Sequence, residues 1–218
     1  MTLFTNSRGQ VRLAAQQLRR IRRAASTPAA LVALIHDTIG DAEETFLNDY
    51  DALAGTAGAE TAAIAARDGA DATFEGETRV TLAVLRARHG AAAVEALRAA
   101  IGGRPLHKVF DEPAGAQVAI FDRAFAVLEG RADLTLPAEL LDPLKALNDA
   151  LRAAVIAAER ATADRAVKGL QVAASERAFV TRYRRLLRLG ALTLGEEGML
   201  AHFPQFERRR AAGKGSGG

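Results

Sequence analysis

Residues 143–188 read PLKALNDALRAAVIAAERATADRAVKGLQVAASERAFVTRYRRLLR, and within them Leu144, Leu147, Leu151, Val155, Ala158, Thr162 and Ala166 recur at steps of 3, 4, 4, 3, 4 and 4. Such steps line up on one side of an α-helix and on neither face of a strand. Asp142-Pro143 offers a capping carboxylate followed by the residue best suited to the first helical position. The reading is therefore one long helix from 143 to about 188, with Gly169 as the place for a bend. Unbroken, it would span roughly 69 Å at 1.5 Å per residue. A compact chain of this size has a radius of gyration of about 17 Å. The expected fold class is accordingly all-α, an elongated bundle of long, Ala-rich helices.

The flanking segments repeat the pattern. Leu31, Ile35, Ile39, Ala42, Phe46, Tyr50 and Leu53 step by 4, 4, 3, 4, 4 and 3 behind the start signal Ser26-Thr27-Pro28, which predicts a second helix over 28–54. Both seams approach an eleven-residue repeat, so coiled-coil-like packing with little left-handed supercoil is expected. A first helix is expected over 8–25. A Gly-punctuated stretch should run from 57 to 101, broken near Asp68-Gly69 and Gly90. Gly102-Gly103-Arg104-Pro105 is the clearest break, and it precedes a helix over 114–129 with the stripe Val118, Phe121, Phe125 and Leu128. Leu136-Pro137 opens a short helix, another covers 195–202, and Phe203-Pro204 closes the folded region. Strand signals are confined to Leu134-Thr135-Leu136 and Leu192-Thr193-Leu194, too short for a sheet. The expected organisation is a basic amphipathic N-terminal helix (1–27), a helical bundle (28–204) and a basic, Gly-rich flexible tail (205–218).

Composition agrees with the class. The 218 residues include nine Phe, two Tyr, no Trp and no Cys. Alanine dominates, which favours helix over strand. Without cysteine there is no disulfide framework, thiolate zinc site, iron–sulfur cluster or thiol nucleophile. The longest apolar runs, such as Ala29–Ile35 and Leu151–Ala158, fall well short of the ~18–20 residues that cross a bilayer. The chain is read as not transmembrane, with the cytoplasm as its expected location.

Charge is segregated behind a net value of only +3. Residues 1–36 hold six arginines and no acid; residues 37–77 hold eleven acids and one arginine; residues 150–188 hold nine basic against three acidic residues. Alternating blocks of this kind suit complementary helix faces within one molecule, or a basic face shown to an anionic partner. On the first helix Val11, Ala14, Leu18, Ile21 and Ala25 share one arc, and Arg8, Arg12, Arg19, Arg20 and Arg23 occupy the next. Such a helix can dock on the acidic block, or bind an acidic protein groove, nucleic-acid phosphate or an anionic membrane surface. Its composition also matches an N-terminal transit peptide. Arg182, Arg184, Arg185 and Arg188 form a second cluster around Tyr183, more charge than the helix C-terminus requires, and Arg208–Arg210 form a third.

Catalytic and metal-binding patterns are weak. None of His36, His89, His107 and His202 has Glu three residues before it, so the di-iron carboxylate spacing is missing. Asp37, Asp41 and Glu44 fall on one helical face and read as a solvated acidic stripe, and His107 with Asp111 and Glu112 reads as loop chemistry. The four serines include no nucleophile elbow. Ala212–Ser216 lacks the first glycine and the flanking elements of a phosphate loop. No catalytic residue, cofactor or metal ligand is assigned. The leading expectation is a non-enzymatic structural or interaction protein, a helical scaffold, adaptor or subunit of a larger assembly. Its partner would be another protein or a second copy of the chain, met through Arg8, Arg12, Arg19, Arg20, Arg23, Arg182, Arg184, Arg185 and Arg188. Two alternatives stand beside it: an accessory protein binding nucleic-acid phosphates through the same arginines, and a helical enzyme or carrier with a buried small-molecule site.

Overall fold

A computed structural model describes residues 8–130 and 137–203. The proposed strand-like segment at 134–136, Pro204, Arg208–Arg210 and the tail all lie outside them. The described residues form α1 (Arg8–Arg23), α2 (Ala29–Ile39), α3 (Ala42–Ala100), α4 (Leu106–Phe110), α5 (Ala114–Glu129), α6 (Ala138–Thr193) and α7 (Gly195–His202), with no strand among them. The fold is all-α. By compactness the chain divides into unit 1, residues 1–55 with 166–218, and unit 2, residues 56–165. α3 and α6 each contribute to both.

Unit 1 packs α1, α2, the first turns of α3, the end of α6 and α7 around one core. Val11, Ala14, Leu18 and Ile21 of α1 are buried there as the amphipathic pattern requires, whereas Ala25 lies past the helix end and is exposed. The Leu31–Leu53 seam lines the same core, and Phe46 stacks on Phe179 with ring centroids 5.8 Å apart. α7 lies against α6 at Gly190, where a side chain would collide with the buried Met199 sulfur.

The expected single helix over 28–54 is two helices. Gly40 breaks it at φ 56°, ψ −125°, a region that glycine enters without steric penalty. The break exposes the last carbonyls of α2, and two arginines take them: Arg182 Nη1 donates to Ile39 O at 2.9 Å and Arg22 Nη1 to Gly40 O at 3.3 Å. The seam survives because the corner rejoins helix at Ala42, with Ile39 and Ala42 both buried.

Unit 2 is built by the rest of α3, α4, α5 and the start of α6. Phe74 sits edge-on to Phe121 at 4.7 Å and to Phe110 at 6.4 Å, with Leu85, Leu97, Val118, Phe125, Leu144 and Leu151 around them. Helix continues through Asp68-Gly69, contrary to expectation. A side chain at Gly69 would meet open space, so no tertiary contact there rewards a break. The second expected break is present, with Gly90 non-helical at φ 79°, ψ −177° inside α3. Gly102-Gly103 ends the helix, the Gly103 N–H closing on Arg98 O at 2.8 Å, and the short α4 that follows had no sequence signal.

α6 begins earlier and ends later than 143–188. Pro137 starts it, its carbonyl accepting from the Leu140 and Leu141 N–H groups, and Pro143 lies inside. Pro143 forfeits one backbone bond, while burial of Leu141 and Leu144 holds that turn in helix. Gly169 introduces no break. The seam is buried or partly buried from Leu144 to Ala158, but Thr162 and Ala166 are exposed.

The Gly40 corner gives a direct test. A Gly40→Ala methyl would sit 3.3 Å from Arg182 Nη1 on a backbone strained for any side chain. Thermal melting should show a loss of about 1–3 kcal/mol.

Candidate interaction surface

Helix α1 folds as an amphipath because Val11, Ala14, Ala15, Leu18 and Ile21 share the side that meets the core. Its arginines therefore flank that side, and small differences in helical position decide their fates. Arg19 and Arg22, three residues apart, both reach Glu43. The Glu43 side chain has no solvent exposure; Arg19 Nε donates to its Oε1 at 2.7 Å, and Arg22 Nη2 stands 3.4 Å from Oε2. The second contact is an ion pair without hydrogen-bond geometry, since Oε2 has no hydrogen-bonded partner. Arg12 Nη2 bonds Asp51 at 3.0 Å, and its guanidinium carbon lies 4.6 Å from the centre of the Tyr50 ring. Arg8 Nε bonds Glu176 at 3.1 Å. Arg20 and Arg23 are exposed, with no carboxylate partner among the described residues.

The second cluster divides in the same way. Arg182 turns toward the Gly40 corner, bonding Ile39 O and, at 3.3 Å, Asp41. Arg184, Arg185 and Arg188 are exposed and have no carboxylate partner among the described residues. Arg177, which the sequence reading did not single out, joins them: its Nε bonds only the Ala173 carbonyl within its own helix. No acid occurs between Arg177 and Gly195. Arg184, Arg188 and Leu192 follow one another at i, i+4 and i+8 and so lie along one side of α6. Leu192 is 83% exposed.

The nine arginines singled out in the sequence thus fall into two groups. Arg8, Arg12, Arg19 and Arg182 are engaged inside unit 1, as is Arg22, which the site reading passed over. Arg20, Arg23, Arg184, Arg185 and Arg188 face solvent. The i+3 relation of Arg22 to Arg19 could have flagged it; Arg177 could have been found from the acid-free run that follows it.

Other candidates do not converge. The Gly40 break removes the common helical face of Asp37, Asp41 and Glu44. His36 stands 3.4 Å from Asp37 at the surface, Lys108 is 3.4 Å from Asp111, and Glu112 is held by Arg104 at 2.5 Å. Among the described residues no group of three or more His, Asp or Glu side chains is placed to hold a metal ion. Ser175 is buried and bonds the Gln171 and Val172 carbonyls of its own helix. Beside the Gly90 kink lies a shallow concavity of 490 Å³ lined by Leu82, Ala83, Arg86, Ala87 and Val94, most of them exposed. No helix among the described residues is long and apolar enough to cross a membrane. No protein-family model matches the chain, and comparison with curated proteins and with solved structures returns no match.

The two groups of arginines should separate in a melting experiment. Reversing Arg19 and Arg22 to Glu places like charges against a buried carboxylate. It should cost about 2–4 kcal/mol, below the figure for a fully buried pair because both guanidinium groups keep some solvent. Reversing Arg20 and Arg23, exposed in the last turn of α1, should cost only about 1 kcal/mol, the loss of a favourable dipole interaction.

Proposed function

We propose that the chain is a non-enzymatic interaction protein, an adaptor or assembly subunit, and that it meets an acidic protein surface through the end of α6. The observation that carries this is the exposed run Arg177, Arg184, Arg185 and Arg188, which has no carboxylate partner among the described residues. Arginine clusters of this density repel one another, and none of these four lies in the last turn of α6, where the helix dipole would reward it. Arginine is enriched at protein interfaces, and a guanidinium group pairs with a carboxylate in a planar fork. Leu192 on the same side of the helix adds an apolar contact that a protein surface can cover and a phosphate backbone does not need.

The acid-free run also favours a second reading, in which the same arginines bind nucleic-acid phosphates. That mode would release counterions, so affinity would fall steeply with added salt.

A triple reversal, Arg184→Glu, Arg185→Glu and Arg188→Glu, tests both. On the protein-partner reading, whatever co-purifies with the wild-type chain is a protein, and it is lost from the variant while the melting temperature stays within about 2 °C. On the second reading the wild type binds single- or double-stranded nucleic acid and releases it between about 50 and 200 mM salt. If the variant retains every partner of the wild type, both readings fail.

A further inference from the structure

The side of α6 turned away from the unit 1 core changes character along its length. Val167, Leu170 and Ala174 follow one another at steps of 3 and 4, and the same steps carried onward reach Arg177, Thr181, Arg184 and Arg188. At about 100° per residue these positions share one arc of about 100°, with Leu192 inside it. Val172, Phe179, Tyr183 and Leu186, which fill the core, lie on the opposite arc. All of the outward positions are exposed, Leu170 at 73% and Val167 at 53%. The face is apolar for about 10 Å and then basic for about 17 Å.

Nothing on this side neutralises the charge. Glu176 is the one acid between Val167 and Thr193. It bonds Arg8 of α1 at 3.1 Å. Arg177 Nε donates to the Ala173 carbonyl, and Arg184 and Arg188 have no carboxylate partner among the described residues. The face is not complementary to itself either. Laid parallel on a second copy, arginine would meet arginine; laid antiparallel, Arg184 and Arg188 would meet Leu170 and Val167. Both arrangements leave the charges without a counter-charge.

A lone exposed leucine is ordinary on a protein surface. Two large aliphatic side chains on one side of a helix, at the spacing through which helices pack, make an unpaired seam. Its continuity with the arginines sets what can cover it: a helix with apolar residues at one end of its contact side and carboxylates at the other.

Resting on the protein-partner reading above, we propose that the acidic surface met by α6 is an amphipathic helix lying along this face. Its apolar residues cover Val167 and Leu170, and its carboxylates pair with Arg177, Arg184 and Arg188. With the acids in its first turns, where its own dipole favours them, that helix runs antiparallel to α6.

The test is fluorescence anisotropy of the full chain with a synthetic peptide of about 20 residues, long enough to hold helix. It carries Glu at the heptad positions of its first half and Leu at those of its second; a companion peptide has Ser for each Leu. The wild type should bind the first peptide, and the companion about 10-fold more weakly. Val167→Gln with Leu170→Gln should weaken the first peptide by a similar factor while melting stays within about 2 °C, since both side chains are exposed. The Arg184→Glu, Arg185→Glu, Arg188→Glu variant should bind neither peptide. If the arginine reversal abolishes binding and the glutamine pair does not change it, the proposal falls while the protein-partner reading stands. If the arginine reversal leaves binding intact, that reading falls too. A wild type that binds neither peptide overturns the proposal, as does a wild-type dimer that the glutamine pair makes monomeric, because a second copy then covers the face. Tighter binding to a single-stranded oligonucleotide than to the peptide, unchanged by the glutamine pair, marks phosphate recognition and overturns it as well.

Discussion

Glu43 is the constraint on which unit 1 depends. A carboxylate with no solvent exposure, one residue into α3, must find positive charge or forfeit several kcal/mol of solvation. α1 alone supplies it, through Arg19 and Arg22. That requirement sets the register of α1 against the start of α3, since sliding the helix by one turn would separate Arg19 from Glu43. Arg22 does a second job: while one of its nitrogens faces Glu43, another takes the Gly40 carbonyl left open where α2 stops. Arg182 completes the corner from α6. One buried charge, two open carbonyls and three arginines thereby connect four helices, and the apolar seam from Leu31 to Leu53 can turn the corner without leaving the core.

Much of this architecture could be read from residue spacing, because apolar periodicity reports burial directly. The Leu31–Leu53 and Leu144–Ala158 seams and the α5 stripe follow from it. The breaks were less legible, for a physical reason. Gly40 and Gly69 are equally poor helix formers in isolation, yet only Gly40 interrupts a helix. The difference lies in Arg22 and Arg182, contributed from 18 and 143 residues away to the carbonyls at the break. Pro143 shows the converse, since burial of Leu141 and Leu144 keeps helical a turn that local rules would end. Thr162 and Ala166 kept the step of the α6 seam but have too little apolar area to draw that side inward.

The charge pattern was legible as blocks and not as pairs. Segregation of arginines in 1–36 from acids in 37–77 matches the observed Arg12–Asp51 and Arg19–Glu43 contacts. A helical wheel, however, groups Arg19 with Arg20 and Arg23. Only the position of Glu43 separates the arginines that stabilise the fold from those that do not.

Glu43 in unit 1 is balanced by guanidinium charge, so its environment must be rich in arginine. The exposed Arg184, Arg185 and Arg188 of α6 have no such part in the fold. Removing them would leave no buried group unpaired and no carbonyl open. Mutual repulsion makes their clustering mildly unfavourable for the isolated chain. On the proposed reading, the carboxylates of a partner surface would relieve that repulsion.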